Sequence, residues 1–205
     1  LSEVLRQAGE DPRPLLRAAL EDLREGTVRR PDTPYLGLSR GRIRSALGLA
    51  EEARGADARA RYREAEADLT EARADDPQDA ARAERADVRV RWARSAARRG
   101  EDSRDLLRAA IVDVDAVCLR HPDRGDLHRL RVQAHQLSGA AEAPYGRDPR
   151  PAGRRALAAA DDAVRAEPTH PMSFHYRAEM RWRLALVDGM LGFDVGEEVR
   201  RGEED

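Results

Sequence analysis

The sequence predicts an all-α protein, a right-handed α-α superhelix (solenoid) of antiparallel helix pairs. Two regular series of helix-breaking residues and one apolar pattern lead to this prediction. The glycines of the first series are 45 or 46 residues apart: Gly9, Gly55, Gly100, Gly146 and Gly192. The prolines of the second series have the same spacing: Pro31, Pro77, Pro122 and Pro168. A period between about 20 and 50 residues indicates stacked supersecondary units, none of which can bury its apolar face alone.

The apolar pattern lies between each glycine and the next proline. The stretch GEDPRPLLRAALEDL (9–23) returns as GEDSRDLLRAAIVDV (100–114), with ten of fifteen residues identical. Its apolar residues are spaced i, i+3, i+4 and i+7, as on one face of an α-helix. They are Leu16, Ala19, Leu20 and Leu23, repeated as Leu107, Ala110, Ile111 and Val114. We predict a single array over residues 1–205, with units at 9–54, 55–99, 100–145 and 146–191 and a partial unit at 192–205.

The helix ends have their own sequence signals. Asp11 precedes Pro12 and Asp148 precedes Pro149. An aspartate at the N-cap accepts a backbone N–H bond, and a proline in the first turn loses no hydrogen bond. The glycine two residues before each aspartate suits the left-handed residue that closes the preceding helix. We therefore predict a helix B after each glycine and a helix A after each proline, with short connections between them.

An alanine and an apolar residue keep a fixed distance from each proline. The alanines stand 12 residues before it, at Ala19, Ala65, Ala110 and Ala156. The apolar residues follow four positions later, at Leu23, Leu69, Val114 and Ala160. This pattern resembles the second half of a tetratricopeptide repeat, A-x3-F…P, although the period alone would also suit HEAT or armadillo units. The resemblance implies that small alanines let neighbouring helices approach closely, so Ala65 and Ala110 should be buried.

The repeat is longer than the tetratricopeptide period of about 34 residues. We expect the added residues to lengthen both helices, to roughly 18–21 residues each, about 30 Å at 1.5 Å per residue. Arrays with this sequence pattern resemble segments of large bacterial multidomain proteins. Together with a single cysteine and no visible signal peptide, this resemblance favours a cytoplasmic location.

The composition argues against several function classes. The 205-residue chain has a net charge of -2 and 4% aromatic residues, whereas nucleic-acid binding favours a basic excess with interleaved aromatics. No apolar run reaches the ~18 residues that a membrane span needs. The motifs GxGxxG and GxxxxGK[ST] do not occur. The sequence therefore predicts no enzyme, no cofactor, and neither a nucleic-acid nor a membrane partner.

The histidines and the single cysteine follow no metal-binding pattern. His128 and His135 are seven residues apart on one predicted helix, too far apart for one ion, and neither HExxH nor a paired CxxC occurs. We predict ordinary surface or turn histidines and no metal site. Cys118, in AVCLR, is interpreted as a small core residue rather than a reactive thiol.

Two arginine series keep the repeat spacing on helix B. One series is Arg17, Arg63, Arg108, Arg154 and Arg200, and the other is Arg13, Arg59, Arg104 and Arg150. They would form a basic track for phosphate or acidic peptides, because guanidinium groups match such anions. We favour the alternative, in which they pair internally with acidic residues of neighbouring helices such as Asp22, Asp68 and Asp113, because the net charge is nearly balanced.

Positions that vary between units are free to contact a ligand, since those that keep the period are needed for packing. In the tetratricopeptide family the inner, concave face is mostly helix A. Carried over to this chain, that face gives nine candidate partner-binding residues. They are Tyr35, Leu38, Arg42, Asp87, Arg129, Gln133, His175, Glu179 and Trp182. For Trp182, a core position and an exposed groove anchor both remain open.

These features favour a non-catalytic helical-repeat scaffold that binds a protein or peptide, as a segment of a larger protein. The alternative is a structural spacer or self-association module without a dedicated ligand. Few residues precede Gly9, and the chain ends before the apolar residue that would dock the helix after Gly192. We therefore expect incomplete terminal helices, which fray or pair end to end with another copy.

Overall fold

The computed structural model describes residues 11–30, 33, 35–72 and 79–190, and it confirms the all-α prediction. These residues form helices and turns without a strand. The α-helices are α1 (Arg13–Arg29), α2 (Leu36–Glu52), α3 (Arg59–Ala72), α4 (Ala80–Arg98), α5 (Arg104–Arg120), α6 (Gly125–Glu142), α7 (Arg150–Ala166) and α8 (Pro171–Met190). The predictions for both chain ends lie outside the described residues, as do those for Gly9, Gly192, Pro31, Pro77 and Arg200.

The helices alternate between the two predicted types. Helices α1, α3, α5 and α7 are B helices of 14 to 17 residues, and α2, α4, α6 and α8 are A helices of 17 to 20 residues. The expected length of 18–21 residues is therefore wrong for helix B. The reason is local, because the aspartate cap fixes where this helix begins.

Glycines end the A helices in the predicted left-handed conformation. Gly55, Gly100 and Gly146 have φ values of 77°, 72° and 69°. The N–H of the residue after each glycine bonds to a carbonyl five residues earlier, for example Ala56 to Glu51 at 3.0 Å. This is the bond of a Schellman motif, which satisfies carbonyl groups at a helix end. A residue with a Cβ would be strained at these three positions.

Aspartate caps begin the B helices, as predicted. Each aspartate accepts the backbone N–H of the arginine two residues later, at 2.9 to 3.1 Å. The capping aspartates are Asp11, Asp57, Asp102 and Asp148. The GxDxR motif therefore ends helix A through its glycine and begins helix B through its aspartate.

The chain divides into two compact units, residues 1–92 and 93–205, with the boundary inside α4. In the first unit α2 packs against α1 and α3. The buried cluster of this unit consists of Leu38, Ala58, Tyr62, Ala65, Leu69, Ala72, Ala81 and Val88, and Trp92 packs against it. Ala65 is completely buried, which confirms its predicted position between helices.

In the second unit α6 packs against α5, α7 and α8, and α7 packs against α8. Its buried cluster is built on small side chains and consists of Val132, Ala156, Ala159, Ala160 and Met180. Ala110, on α5, is also completely buried, as predicted. Gly153 brings α7 so close to α8 that a Cβ there would lie 2.7 Å from Leu184 Cδ2.

Candidate functional site

The nine candidate residues lie on A helices or, for Tyr35, directly before one. The first unit holds Tyr35, Leu38, Arg42 and Asp87. The second unit holds Arg129, Gln133, His175, Glu179 and Trp182. Each unit therefore has its own set.

The first unit offers little free surface at its candidate positions. Leu38 is only 7% exposed and belongs to the core, so it cannot contact a partner. Arg42 Nε donates to Glu84 Oε1 at 2.7 Å, which ties α2 to α4. Asp87 pairs with Arg91, one turn later on the same helix, at 2.6 Å. Tyr35 is 63% exposed, so its ring is accessible to a partner.

In the second unit, polar side chains connect α6 to α8. Gln133 Nε2 donates to the Tyr176 hydroxyl at 2.7 Å, and Gln133 Oε1 accepts from Arg94 of α4 at 3.0 Å. Arg129 donates to Ser173 Oγ of α8 at 3.3 Å and pairs with Glu167. The two predicted residues of α6 are therefore fixed by α8 and its preceding turn rather than free in solution.

Glu179 is the centre of the charged cluster on α8. It accepts from Arg183 Nε at 2.9 Å, and His175 Nε2 lies 3.9 Å from its other oxygen. With its amide oxygen toward Arg183, Gln136 of α6 accepts from that guanidinium at 3.1 Å. Glu179 thus orients Arg183, a residue that sequence reasoning missed. The i,i+4 spacing of Glu179 and Arg183 is the signal that would have found it.

Trp182 is 61% exposed, which excludes one of its two interpretations. The core position is wrong, and the indole is an exposed side chain on α8. The Arg183 guanidinium lies 6.0 Å from the ring centroid, at the limit of a cation–π contact. Trp92, in contrast, packs against the first unit's core.

An apolar cleft of about 220 Å³ lies between α6, α7 and α8, beside Arg183. It is lined by Gln136, Gly139, Ala140, Ala143, Pro149, Arg150, Gly153, Met180, Arg183, Leu184 and Val187. Small residues from α6 and α7 leave this space open. We use the name α6–α8 surface for this cleft together with Gln133, Gln136, His175, Glu179, Trp182 and Arg183.

The arginine series that begins at Arg13 pairs locally. Each of these arginines contacts the carboxylate of its own capping aspartate through the side chain, at 2.5 to 2.8 Å in the four copies. Hydrogen bonds from Arg104 hold the pKa of Asp102 down, at about 2. The predicted internal pairing is therefore present, but mostly within the capping turn rather than with neighbouring helices; Arg150 also lies 3.8 Å from Asp188 of α8. The short i,i+2 reach of the GxDxR turn explains the difference.

The other arginine series, Arg17, Arg63, Arg108 and Arg154, is exposed on the B helices. Arg108 pairs with Asp105, three residues earlier. Asp68, one of the acids expected to balance the series, is buried and pairs with Arg44 at 2.6 Å and Arg40 at 3.1 Å of helix α2.

A third arginine series keeps the repeat spacing on helix A: Arg40, Arg85, Arg131 and Arg177. Its members reach the flanking B helices. Arg40 donates to Thr27 of α1 at 3.2 Å and to Asp68 of α3 at 3.1 Å. One guanidinium therefore connects two B helices.

Arg131 makes the same kind of connection in the second unit. It lies 2.7 Å from Asp115 of α5 and 3.2 Å from Asp162 of α7. Arginine suits this position because its planar fork presents several donors in fixed directions. The repeated arginine of helix A is therefore a packing residue.

The structure corrects the prediction of ordinary surface histidines at two positions. His128 and His135 are 5% and 3% exposed, because α6 is covered on several sides. Burial lowers the pKa of His135 to about 4. Cys118 is buried as interpreted, and burial raises the pKa of its thiol to about 11. Among residues 11–30, 33, 35–72 and 79–190, no three side chains are placed to hold a metal ion.

Comparison with known proteins supports the helical-repeat fold. No protein-family model matches the chain, and no curated protein matches it. A solved structure titled "MamA RS-1 ArsTM double mutant" is similar over 100% of this chain and 93% of that chain, with 15% sequence identity and a TM-score of 0.53. MamA is a tetratricopeptide-type protein. This likeness confirms the all-α, tetratricopeptide-like fold class.

Among the described residues, no helix is both long and apolar enough to span a membrane.

Proposed function

We propose that the chain is a non-catalytic helical-repeat scaffold that binds a protein or peptide through the α6–α8 surface. The observation that supports this proposal most is the 61% exposure of Trp182 next to polar groups that are already oriented. Tryptophan is among the residues that dominate binding energies at protein interfaces. A solvent-exposed indole has a large apolar area that a partner can bury.

The neighbours of Trp182 suit a polypeptide rather than another ligand class. Gln136 carries amide groups that can bond to a peptide backbone, and Arg183 and His175 add donors around the indole. The apolar cleft beside Arg183, about 220 Å³, has room for an apolar side chain of the partner. The net charge of -2 does not favour a nucleic acid. We place this activity in the cytoplasm, with no membrane partner and no cofactor.

The alternative function, a spacer or self-association module, also has support. Hydrogen bonds such as Gln133–Tyr176 satisfy groups of the α6–α8 surface internally. In addition, Leu186 and Met190 extend the exposed apolar side of α8 beyond Trp182, at 49% and 78% exposure. Such a face would also suit a second copy of the chain.

Peptide selection followed by point variants separates these functions. A random peptide library is displayed on phage and selected against the purified chain, and the enriched peptides are synthesised for fluorescence anisotropy. We expect Trp182→Ala to weaken their binding at least tenfold, because the lost indole is the central anchor. Val112→Ala, which truncates an exposed apolar residue on α5 at 68% exposure, is the matched control and should leave binding unchanged.

The proposal fails if no peptide is enriched, or if enriched peptides bind Trp182→Ala and the wild type equally. Sedimentation velocity over a hundredfold concentration range tests the alternative. Mass that rises with concentration in the wild type, but not in Trp182→Ala, would favour self-association through α8.

A further inference from the structure

A second cavity, of about 590 Å³, also lies in the second unit. It is formed by the C-terminal ends of α5 and α7 and the beginning of α6, and we name it the α5–α7 cavity. Its lining residues are Asp115, Cys118, Leu119, Pro122, Asp123, His128, Arg131, Asp162, Arg165 and Ala166. It shares no residue with the α6–α8 surface. Its volume lies within the range of about 300–1,000 Å³ that is usual for ligand sites.

His128 lines this cavity with an unused acceptor. The side chain is 6% exposed, and its Nε2 lies 3.0 Å from the Pro122 carbonyl oxygen. A carbonyl only accepts hydrogen bonds, so Nε2 carries a proton, and in the neutral form of the ring Nδ1 has a lone pair. Among the described residues Nδ1 has no hydrogen-bond partner, and it lies 4.0 Å from Asp162 Oδ2. Buried polar atoms of this kind are rare, because an unmade hydrogen bond costs free energy.

The charges around the cavity leave an excess of acceptors. Arg131 pairs with both Asp115 and Asp162, and Arg165 also pairs with Asp162. A third carboxylate, Asp123, is exposed at the edge. Three carboxylates therefore face two guanidinium groups, with the His128 lone pair in addition. A ligand that brings N–H donors and positive charge would satisfy these groups.

The rim of the cavity is apolar. Leu119 is 84% exposed there, next to Pro122 and Ala166. An exposed leucine beside a polar floor suits a ligand with an aliphatic stem and a charged head, as in long basic side chains. The same position as His128 holds Arg82 in the preceding repeat and Phe174 in the following one, counting three residues before the repeated arginine. The acceptor is thus particular to this copy of the repeat and is not needed by every unit.

From these observations we propose that the α5–α7 cavity binds an arginine side chain of a protein partner. The guanidinium lies beside Asp162 and donates to His128 Nδ1, and its aliphatic stem packs on Leu119. An anion fits less well, because Arg131 and Arg165 are already paired with the aspartates of the wall. This inference goes beyond the proposed function, since it concerns different residues and a different ligand chemistry.

Nα-acetyl-L-arginine amide is the probe, and its neutral isostere Nα-acetyl-L-citrulline amide is the chemical control. Both are titrated into the ¹⁵N-labelled full chain and followed by ¹H–¹⁵N correlation spectra. We expect saturable shifts at amides of residues 115–123, 128–131 and 162–166, and binding of the citrulline compound at least tenfold weaker. Inorganic phosphate is titrated in a third series.

Three variants locate the site. Asp162→Asn and Leu119→Ser should each weaken the arginine probe, the first at least tenfold. Asp161→Asn is the matched control, because Asp161 is the neighbouring carboxylate on α7, faces Arg177 and should leave binding unchanged. Circular dichroism melting shows whether each variant is folded. If Asp162→Asn does not fold, Leu119→Ser and the citrulline compound still test the proposal.

Several outcomes would overturn the proposal. These are shifts outside the cavity, no saturation by the arginine probe, equal binding of the citrulline compound, or phosphate binding at the same amides. Peptides that lose affinity in Trp182→Ala but not in Asp162→Asn would separate this site from the α6–α8 surface.

Discussion

The same contact of the repeat is filled in opposite ways in two helix pairs, α2–α3 of the first unit and α6–α7 of the second. The large and the small side chain have exchanged helices. In α2–α3 the glycine Gly41 faces Leu69, and a Cβ at Gly41 would lie 2.5 Å from Leu69 Cγ. In α6–α7 the equivalent positions hold Val132 and Ala160, both completely buried in one cluster. The large residue is on helix B in the first pair and on helix A in the second.

The total side-chain size is the same in the two pairs. Glycine with leucine and valine with alanine each contribute four side-chain carbons. Protein interiors are close-packed, so a gain on one helix must be matched by a loss on the other. These two pairs therefore preserve the volume of the contact rather than the residue at either position.

The largest expected effect comes from emptying one side of the first pair. Leu69→Ala should reduce the free energy of unfolding by about 2–5 kcal/mol, because the buried side chain leaves a cavity against a glycine that cannot fill it. Urea unfolding followed by circular dichroism measures the loss.

The double variant Gly41→Val with Leu69→Ala recreates the α6–α7 arrangement in α2–α3. If pair volume is what matters, it should recover most of the lost stability, with a coupling energy of about 2 kcal/mol. Strictly additive losses from the two single variants would falsify the volume interpretation.

The next largest effect is a loss of stability of the second unit in acid, because every histidine of the chain lies in that unit. Burial lowers the pKa of His135 to about 4, with opposition from Asp115 and support from Arg131 and Arg155. The unfolded chain takes up this proton near pH 6.5 and the folded chain only near pH 4. Stability is therefore complete above pH 6.5 and is lost as the pH falls toward 4, by about 3 kcal/mol at most.

Urea titrations at pH 7.5 and pH 4.5 test this acid effect. His135→Gln should flatten the pH dependence across that window, whereas His175→Gln, which changes an exposed histidine of the same unit, should keep it. An unchanged slope in His135→Gln would assign the acid sensitivity to other groups.

The smallest effect is expected at Gly153, where the second unit has its own close approach. An added Cβ would lie 2.7 Å from Leu184 Cδ2, a terminal methyl group that can turn aside. Because alanine favours a helix over glycine by about 1 kcal/mol, Gly153→Ala should stay within about 1 kcal/mol of wild type. Gly41→Ala, which meets the branch atom of Leu69, should instead lose about 1–3 kcal/mol. Equal effects in thermal melts would contradict this difference.

The candidate site was only partly predictable from the sequence. Counting along the repeat correctly placed eight of the nine candidates on A helices and Tyr35 directly before one, because helix periodicity is local. It did not separate Leu38, which is in the core, from Trp182, which is exposed. Both positions belong to the same kind of helix, and their burial depends on which neighbouring helix covers each face.

The sequence by itself determined the features that act within a few residues. Gly55, Gly100 and Gly146 end helices because only glycine adopts a positive φ without strain, and the following aspartates cap the next helix through an i,i+2 bond. The regular spacing of these signals was enough to predict the helix pairs. The buried alanines also followed from it, since they keep one helix face.

Only the tertiary structure decided the contacts between segments far apart in the chain. It placed Arg131 between Asp115 and Asp162, and it buried His128 with a free acceptor beside a cavity. Sequence spacing does not give the rotation and register of one helix against another. Those are decided by how side chains of different size fit across each contact, as Gly41 with Leu69 shows.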